Sequence, residues 1–517
     1  MKFKSLFAKP FVLLFLGACL SALPLTFSYL FALSWVSFVP LFYVIISKSH
    51  NKLSFAIGRG FLFGFCFNVC VYYWFIWFFP LEVAKLTNSA SIAVVLLAWL
   101  GISAAHGVLW CIPFIASALA SRITKNKPFL CLVAILGIIA AQKITALGEL
   151  SFPWVRISLG QYKATPLIQS AALFGAEGVD MIILAVNALI TIALLSSNKK
   201  RIVSFGLAAV IFIANLGFGI ARLNTAKDEN TLTIMTVQAS VPQDEKWARN
   251  GDKICFDAYS TLTKQNVTDD VQLVLWPESA VPKIYKNVGS LSQYHKLSQE
   301  IEAPLLAGII LKTNTGNTNN TALINGTSPV EIYTKRQMVP FGEYMPYKRV
   351  FSKLFPSLTK LNIIKDDYVS GNSSTIMSVE DGKLGSIICF ESIYPALTRQ
   401  SAIDGANLII EATNDSWLET SPAMHQHLAH GVFRSVETNR YIVRSANSGI
   451  SAVIDNRGNI KSTLGINEQG VITDTVQLID KQTLYTKTGD VLFPVSCILV
   501  LMWAVIIFIK RKKATDN

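Results

Sequence analysis

Apolar residues are distributed unevenly along the chain. From Pro10 to Leu223 they form long runs almost free of acids, whereas from Asn224 to Asp490 they break into short runs separated by polar and turn residues. A helix that crosses a bilayer needs about 20 predominantly apolar residues. Eight stretches approach or meet that length: Pro10–Leu23, Thr26–Ile46, Gly60–Phe79, Ser91–Ala118, Phe129–Ala146, Thr165–Leu195, Val203–Ile220 and Val491–Ile509. The first two form a tight hairpin around Pro24. Ser151 to Gln161 is too short and mixed to span, and its Pro153, Trp154 and Arg156 suit anchoring at the membrane interface. The pattern therefore predicts a membrane domain over 1–223 with seven transmembrane helices, a soluble domain over 224–490, an eighth transmembrane helix over 491–509 and a basic tail over 510–517.

Within the soluble stretch the pattern alternates between strands and helices. Strands are predicted at Leu232–Val237, Gln272–Trp276, Leu305–Ile310, Ala322–Asn325, Glu331–Thr334, Leu384–Cys389, Leu408–Ala412, Ile442–Ala446 and Ser451–Ile454. Helices are predicted at Trp247–Lys264, Leu291–Glu300, Tyr394–Asp404 and Met424–Asn439. Such a mixture predicts an α/β sandwich of two β-sheets flanked by helices. Tyr344 to Ile363 places Phe351, Leu354, Phe355, Leu358 and Leu361 at helical spacing, with Lys348, Arg349, Lys353 and Lys360 between them. That is the pattern of an amphipathic lid helix lying in a lipid interface, and a core-facing helix shares it.

Composition agrees with a membrane protein. Charged residues make up 15% of the chain, against about 25% in soluble proteins, and the mean hydropathy is +0.42. The net charge of +13 sits largely in short clusters beside apolar runs: Lys2, Lys4 and Lys9; Lys48 and Lys52; Arg122, Lys125 and Lys127; Lys199, Lys200 and Arg201; Lys510 to Lys513. These clusters follow alternate spans, so both termini are expected in the cytoplasm and the soluble domain on the opposite side. Charge so placed excludes a nucleic-acid surface. Lys2 to Cys19 resembles a secretory signal, and Leu16-Gly17-Ala18-Cys19 a lipoprotein cleavage box. More membrane follows at once, so the first span is expected to be retained.

Six of the eight cysteines lie in apolar runs; Cys255 and Cys389 fall in the soluble part. Neither a Cys/His metal spacing nor a dinucleotide or P-loop fingerprint occurs, so no metal and no cofactor are expected. His425, His427 and His430 are read as packing or surface residues.

Three segments share one form, an apolar strand that ends in a reactive side chain. VQLVLWPES carries Glu278, EIYTKRQMVPFGEYMP carries Lys335 and then Glu343, and KLGSIICFES carries Cys389, followed by Phe390 and Glu391. Strand ends leading into loops are where a rigid scaffold presents catalytic groups. A thiol needs a base or a positive field to become a thiolate, and a carboxylate with an ammonium group would supply both.

These segments closely resemble the nitrilase superfamily, whose Glu–Lys–Cys triad has this order and these flanks. More narrowly, WPES, KRQMVPFGEYMP and ICFES, with several spans before the domain and one after, resemble the apolipoprotein N-acyltransferase family. VQASVPQDEKW and TNDSWLETSPAMHQHLAHGVFRSVETNRYIVRSANSG extend the likeness across the whole chain. The resemblance implies a bacterial inner-membrane enzyme with a periplasmic catalytic domain. Glu278, Lys335 and Cys389 would be catalytic, and Glu343 and Glu391 supporting. A phospholipid would be the acyl donor, and the amine of a diacylglyceryl apolipoprotein the acceptor in a ping-pong route through a thioester. Trp247, Tyr344, Phe390 and Trp417 are candidates for contact with substrate, and a monomer is expected. Two departures stand out: Phe390 replaces the family's usual Tyr, and Leu418-Glu419 replaces Phe-Gly after Trp417. Two other readings compete, a membrane-tethered amidase of the same superfamily and a transporter or scaffold carrying an inactive domain. The near absence of charge from the spans (His106, Glu177 and Asp180 apart) speaks against transport.

Overall fold

The computed structural model describes residues 10–48, 52–81, 87–224, 230–354, 368–418 and 420–516. Among these, six helices are long and apolar enough to cross a membrane: Ser28–Ser47, Leu53–Val71, Asn88–Ile123, Lys127–Ile144, Ala171–Leu194 and Asn198–Leu223. Two shorter apolar helices, Pro10–Thr26 and Leu492–Ile507, accompany them. Each predicted span overlaps one of these eight. The last helix runs on through the basic tail to Asp516.

Among the described residues, thirteen strands follow the first seven of these helices: β1 Thr231–Gln238, β2 Leu273–Leu275, β3 Ile284–Tyr285, β4 Leu305–Lys312, β5 Asn317–Ile324, β6 Glu331–Thr334, β7 Ile376–Val379, β8 Gly382–Ile388, β9 Leu408–Thr413, β10 Tyr441–Ala446, β11 Ser451–Ile454, β12 Ile460–Leu464 and β13 Gly470–Gln477. The first sheet has the order β13-β1-β2-β4-β5-β6 with β3 beside β4, and the second the order β12-β11-β10-β9-β8-β7. They face one another as a sandwich, with Thr321 Oγ1 2.7 Å from Ser386 Oγ across the gap. Helices Gly251–Asn266 and Ser292–Glu300 cover the first sheet through Tyr259 and Tyr294, which pack with Val274, Trp276 and Leu305.

Direction within the sheets gathers the site. β1, β2 and β4 are parallel, and two antiparallel steps through β5 bring β6 back to the same direction. In the second sheet β8, β9 and β10 are parallel. Parallel strands covered on both faces are apolar almost throughout, as in Leu273–Leu275 and in Leu408–Ile410. The carboxyl ends of β2 and β6 in one sheet, and of β8 and β9 in the other, lead to Glu278, Lys335, Cys389 and Asp415.

The apolar core runs without a break from the membrane helices into the sandwich, joining Leu13, Phe63 and Ile183 to Ile387 and Ile410. The segment from Ser151 to Arg156 lies inside this junction. Trp154 is buried, donates from its indole N–H to Gln426 Oε1 at 2.7 Å and stacks on Phe152 with ring centroids 5.5 Å apart. Arg156 pairs with Asp180 at 3.7 Å. The expectation that these residues anchor at the membrane interface is therefore corrected: they fill the seam between the membrane half and the sandwich. Of the predicted lid helix, Lys348–Leu354 is helical; Phe355, Leu358, Lys360 and Leu361 lie outside the described residues.

Candidate active site

Glu278 follows β2 through Trp276-Pro277, and its loop crosses β4 at Gly308, where a Cβ would stand 2.3 Å from the Pro277 carbonyl oxygen and 2.5 Å from Glu278 Cα. Only glycine permits that approach. Lys335 closes β6 and donates to Glu278 Oε1 at 2.9 Å and to Glu343 Oε1 at 2.8 Å. Glu343 is itself held by the Asn319 side chain at 2.6 Å and the Val339 N–H at 2.8 Å. Glu278 Oε2 accepts the Asn414 N–H at 3.2 Å. Glu278, Lys335 and Cys389 are all buried and share one pocket of charge.

Cys389 sits at the turn from β8 into the short helix Cys389–Ile393, with φ of +51°. This left-handed conformation costs a non-glycine residue about 1–3 kcal/mol and persists only where the surroundings enforce it. Glu391 is one such enforcer. Its carboxylate accepts the N–H groups of Ile388 at 2.7 Å, Arg336 at 2.6 Å and Gln337 at 3.1 Å, and the Tyr333 hydroxyl at 2.8 Å. One side chain thereby ties the loop of the thiol to the loop of the lysine.

The electrostatics set the resting protonation. Burial pushes the Cys389 thiol well above its usual range, the Glu278 charge adds to this, and Lys335 opposes both. Burial likewise raises Glu278, offset in part by Lys335. For Lys335 burial acts downward, but the carboxylates of Glu278 and Glu343 outweigh it and hold the ammonium well above its ordinary value. The site rests as a neutral thiol beside a fixed cation and a carboxylate of raised basicity.

The candidate contact residues separate. Trp247 is 60% exposed and Trp417 36%; Trp417 stacks on Phe78 of the membrane half with ring centroids 5.7 Å apart. Tyr344 donates its hydroxyl to the Glu149 carbonyl at 2.5 Å, another tie between the two halves. Phe390 is buried against Phe152, at 5.6 Å, and Tyr394, at 5.5 Å. Its ring thus packs the seam rather than an open surface. Of the two departures from the family pattern, Leu418 is buried and Glu419 lies outside the described residues.

Sequence reasoning missed a second buried cluster behind the thiol. His427 on helix Ala423–Thr438 contacts Asp415 Oδ1 at 2.9 Å and the Cys389 carbonyl oxygen at 3.1 Å. Arg444 of β10 bridges Glu411 and Asp415. His427 and His430 are both buried, which corrects the surface half of their reading. Donor atoms of Cys389, Asp415 and His427 lie within 4.8 Å of one another, the spacing of a metal site. Arg444 already supplies that cluster with its cation. These residues come from separate elements, and only the polarity of Asp415, His427 and Arg444 inside apolar runs hinted at them. Lys246 was missed as well. It is buried, its ammonium has no hydrogen-bond partner among the described residues, and burial lowers it to about 8, opposed by the nearby Cys255 and Glu278.

A two-sheet sandwich with a cysteine, a glutamate and a lysine at its strand ends defines a carbon–nitrogen hydrolase domain, here fused to a polytopic membrane half. A family model described as Carbon-nitrogen hydrolase matches residues 233–484, and one described as Apolipoprotein N-acyltransferase N-terminal domain matches residues 17–189. Curated relatives that carry the name apolipoprotein N-acyltransferase match over most of the chain. That of Allorhizobium ampelinum is 30% identical over 87% of this chain and 86% of its own. That of Gloeobacter violaceus is 29% identical over 91% and 88%, and that of Thermotoga maritima 26% over 94% and 91%. A solved CN-hydrolase superfamily protein from Xanthomonas campestris covers 52% of this chain and 97% of its own at 15% identity, with a TM-score of 0.38. The chain belongs to the apolipoprotein N-acyltransferase family, and it is a multi-pass membrane acyltransferase.

Proposed function

We propose that the protein moves an acyl chain from a phospholipid to the α-amine of the diacylglyceryl cysteine of an apolipoprotein, through a thioester on Cys389. Glu278 takes the thiol proton as the sulfur attacks the donor ester carbonyl. The charge that develops on the carbonyl oxygen faces Lys335 and a backbone N–H beside Cys389. Collapse breaks the ester C–O bond, and Glu278 returns its proton to the departing alcohol of the lysophospholipid. The acceptor amine then attacks the thioester and loses a proton to Glu278. The C–S bond breaks, and the thiolate regains that proton.

The observation that carries this reading is the pair of carboxylates, Glu278 and Glu343, on the one buried ammonium of Lys335. One is free to shuttle a proton while the other keeps the cation in place. Glu343 and Glu391 are positioning residues, and Trp247 and Trp417 offer exposed aromatic surface to the substrates. The placement of the basic clusters supports both termini in the cytoplasm and the domain over 224–490 on the opposite side; the family supports reading that side as the periplasmic face of a bacterial inner membrane, with the membrane domain bounded as 1–223 and the further helix 491–509.

The test uses the full chain in mixed micelles of a diacyl phospholipid. Intact-mass and peptide mass spectrometry should find an acyl mass on Cys389, absent from Cys389→Ser. A peptide bearing a diacylglyceryl cysteine with a free amine should clear it and gain the acyl group. Clearance at the same rate without the peptide would instead make the protein a hydrolase.

A further inference from the structure

The buried histidine behind the thiol touches the backbone that the reaction depends on. His427 Nε2 lies 3.1 Å from the carbonyl oxygen of Cys389. That oxygen can only accept, so Nε2 carries the proton it donates. The other ring nitrogen faces Asp415 Oδ1 at 2.9 Å and Arg444 Nη2 at 3.0 Å. Arg444 in turn is fixed by Glu411 and Asp415, and Thr413 donates its hydroxyl to Asp415 at 2.9 Å. His427, Asp415, Glu411 and Arg444 are all almost inaccessible to solvent. Gly449 makes room for them, since a Cβ there would stand 2.7 Å from Asp415 Oδ2. The imidazole is therefore clamped on one side and spends its remaining N–H on one peptide group.

That peptide group joins Cys389 to Phe390. In a planar trans peptide the C=O and N–H point in opposite directions. A hand on the carbonyl oxygen thus sets where the Phe390 N–H points. This N–H lies in the first turn of the helix Cys389–Ile393, where the helix itself offers no acceptor. The φ of +51° at Cys389 makes the same peptide costly to hold without an external tie.

We propose that His427, braced by Asp415 and Arg444, is a positioning residue that aims the Phe390 N–H at the oxygen of the acyl group under attack. The inference rests on the thioester reading of Cys389. It assigns the histidine no contact with substrate and no role in removing the thiol proton, which remains with Glu278.

Two reactions of the same sulfur separate this role from others. Thioester formation develops an oxyanion; alkylation by iodoacetamide, a displacement at carbon, does not. Full-length wild type, His427→Leu and His427→Gln would be compared in phospholipid micelles for acyl mass on Cys389, and in detergent for carboxamidomethylation. Acylation is expected to fall about 100-fold in His427→Leu, the cost of losing one oxyanion donor, with alkylation unchanged within about threefold. His427→Gln keeps an N–H for the carbonyl and should regain most of the acylation rate. If His427→Leu does not fold, Asp415→Asn, which loosens the clamp while keeping its volume, should lower acylation alone. Parallel loss of both reactions would overturn the proposal, because the histidine would then act on the thiol or on the fold at large. Unchanged acylation in the variants would overturn it too. A wild-type protein that alkylates at Cys389 yet gains no acyl mass would sink the thioester reading instead, a separate result.

Discussion

Replacing Glu391 tests whether the loop that carries Cys389 is built as described. The carboxylate accepts four hydrogen bonds, three from backbone N–H groups and one from Tyr333, in a fully buried setting. Glu391→Ala leaves those donors without an acceptor. A buried orphan costs about 1–3 kcal/mol, so even the low end of that range for each gives roughly 4 kcal/mol. Glu391→Gln is gentler: its one oxygen can serve Arg336 and Gln337, and the Tyr333 hydroxyl can turn to accept from the amide. Only the Ile388 N–H is then orphaned, at about 1–3 kcal/mol. At about 2–4 °C per kcal/mol for a domain of this size, the melting temperature in detergent should fall by roughly 8 °C or more for alanine and by several degrees for glutamine. Because Ile388 immediately precedes Cys389, thioester formation should slow in the same order. If Glu391→Ala melts with the wild type and acylates at the wild-type rate, the carboxylate does not hold the loop and the reasoning fails.

Other expectations follow from the same geometry. Lys335→Met leaves Glu278 and Glu343 facing each other without a cation, and both acylation and iodoacetamide alkylation of Cys389 should fall about 100-fold or more while the protein still folds. Burial raises Glu278 above its ordinary value, so the base form is lost as pH falls through a point above the usual carboxylate range. The acid limb of the Cys389 alkylation rate should lie there and should disappear in Glu278→Gln. Arg444→Met strands two buried carboxylates and should cost about 3–5 kcal/mol of stability. Burial acts to raise Asp415, but Arg444 outweighs it and depresses the group. Its stabilising effect is therefore present above the ordinary carboxylate range and lost as pH falls, an acid dependence that the variant's melting curves should lack. Trp154→Phe removes the donor to Gln426 and should cost about 1–3 kcal/mol, slowing thioester formation without abolishing it.

Much of this was legible in the sequence because it follows local rules. Six long apolar helices announce themselves by length and two shorter ones by composition, and Glu278, Lys335 and Cys389 are marked by the apolar strands they terminate. What escaped did so for identifiable reasons. β5 opens with Asn317 to Asn320, polar residues that a period-two reading rejects; the Asn319 amide bonds Glu343 and the Asn320 amide bonds Thr318 of the same strand, which lets them be buried. β12 and β13 are half-exposed strands with weak alternation. The Asp415–His427–Arg444 cluster joins the turn after β9, a helix and a strand, and no spacing within the sequence encodes that meeting. Trp154 beside Arg156 has the composition of a lipid-facing anchor, and only the packing of two halves turns it inward.

The seam between those halves has one more implication. Phe152 presses on the residue that follows the nucleophile, and Trp154 lies against the ring of His427, with centroids 5.6 Å apart. Part of the packing around Cys389 is thus borrowed from the segment that joins two helices of the membrane half. A catalytic domain cut loose by a protease would shed that packing, bare Phe390 to water and release its grip on the turn. Attachment to the membrane half is in this way a condition of keeping the turn at Cys389 packed. Under the proposed thioester mechanism, this joint construction would keep the Cys389 thiol from working away from the membrane.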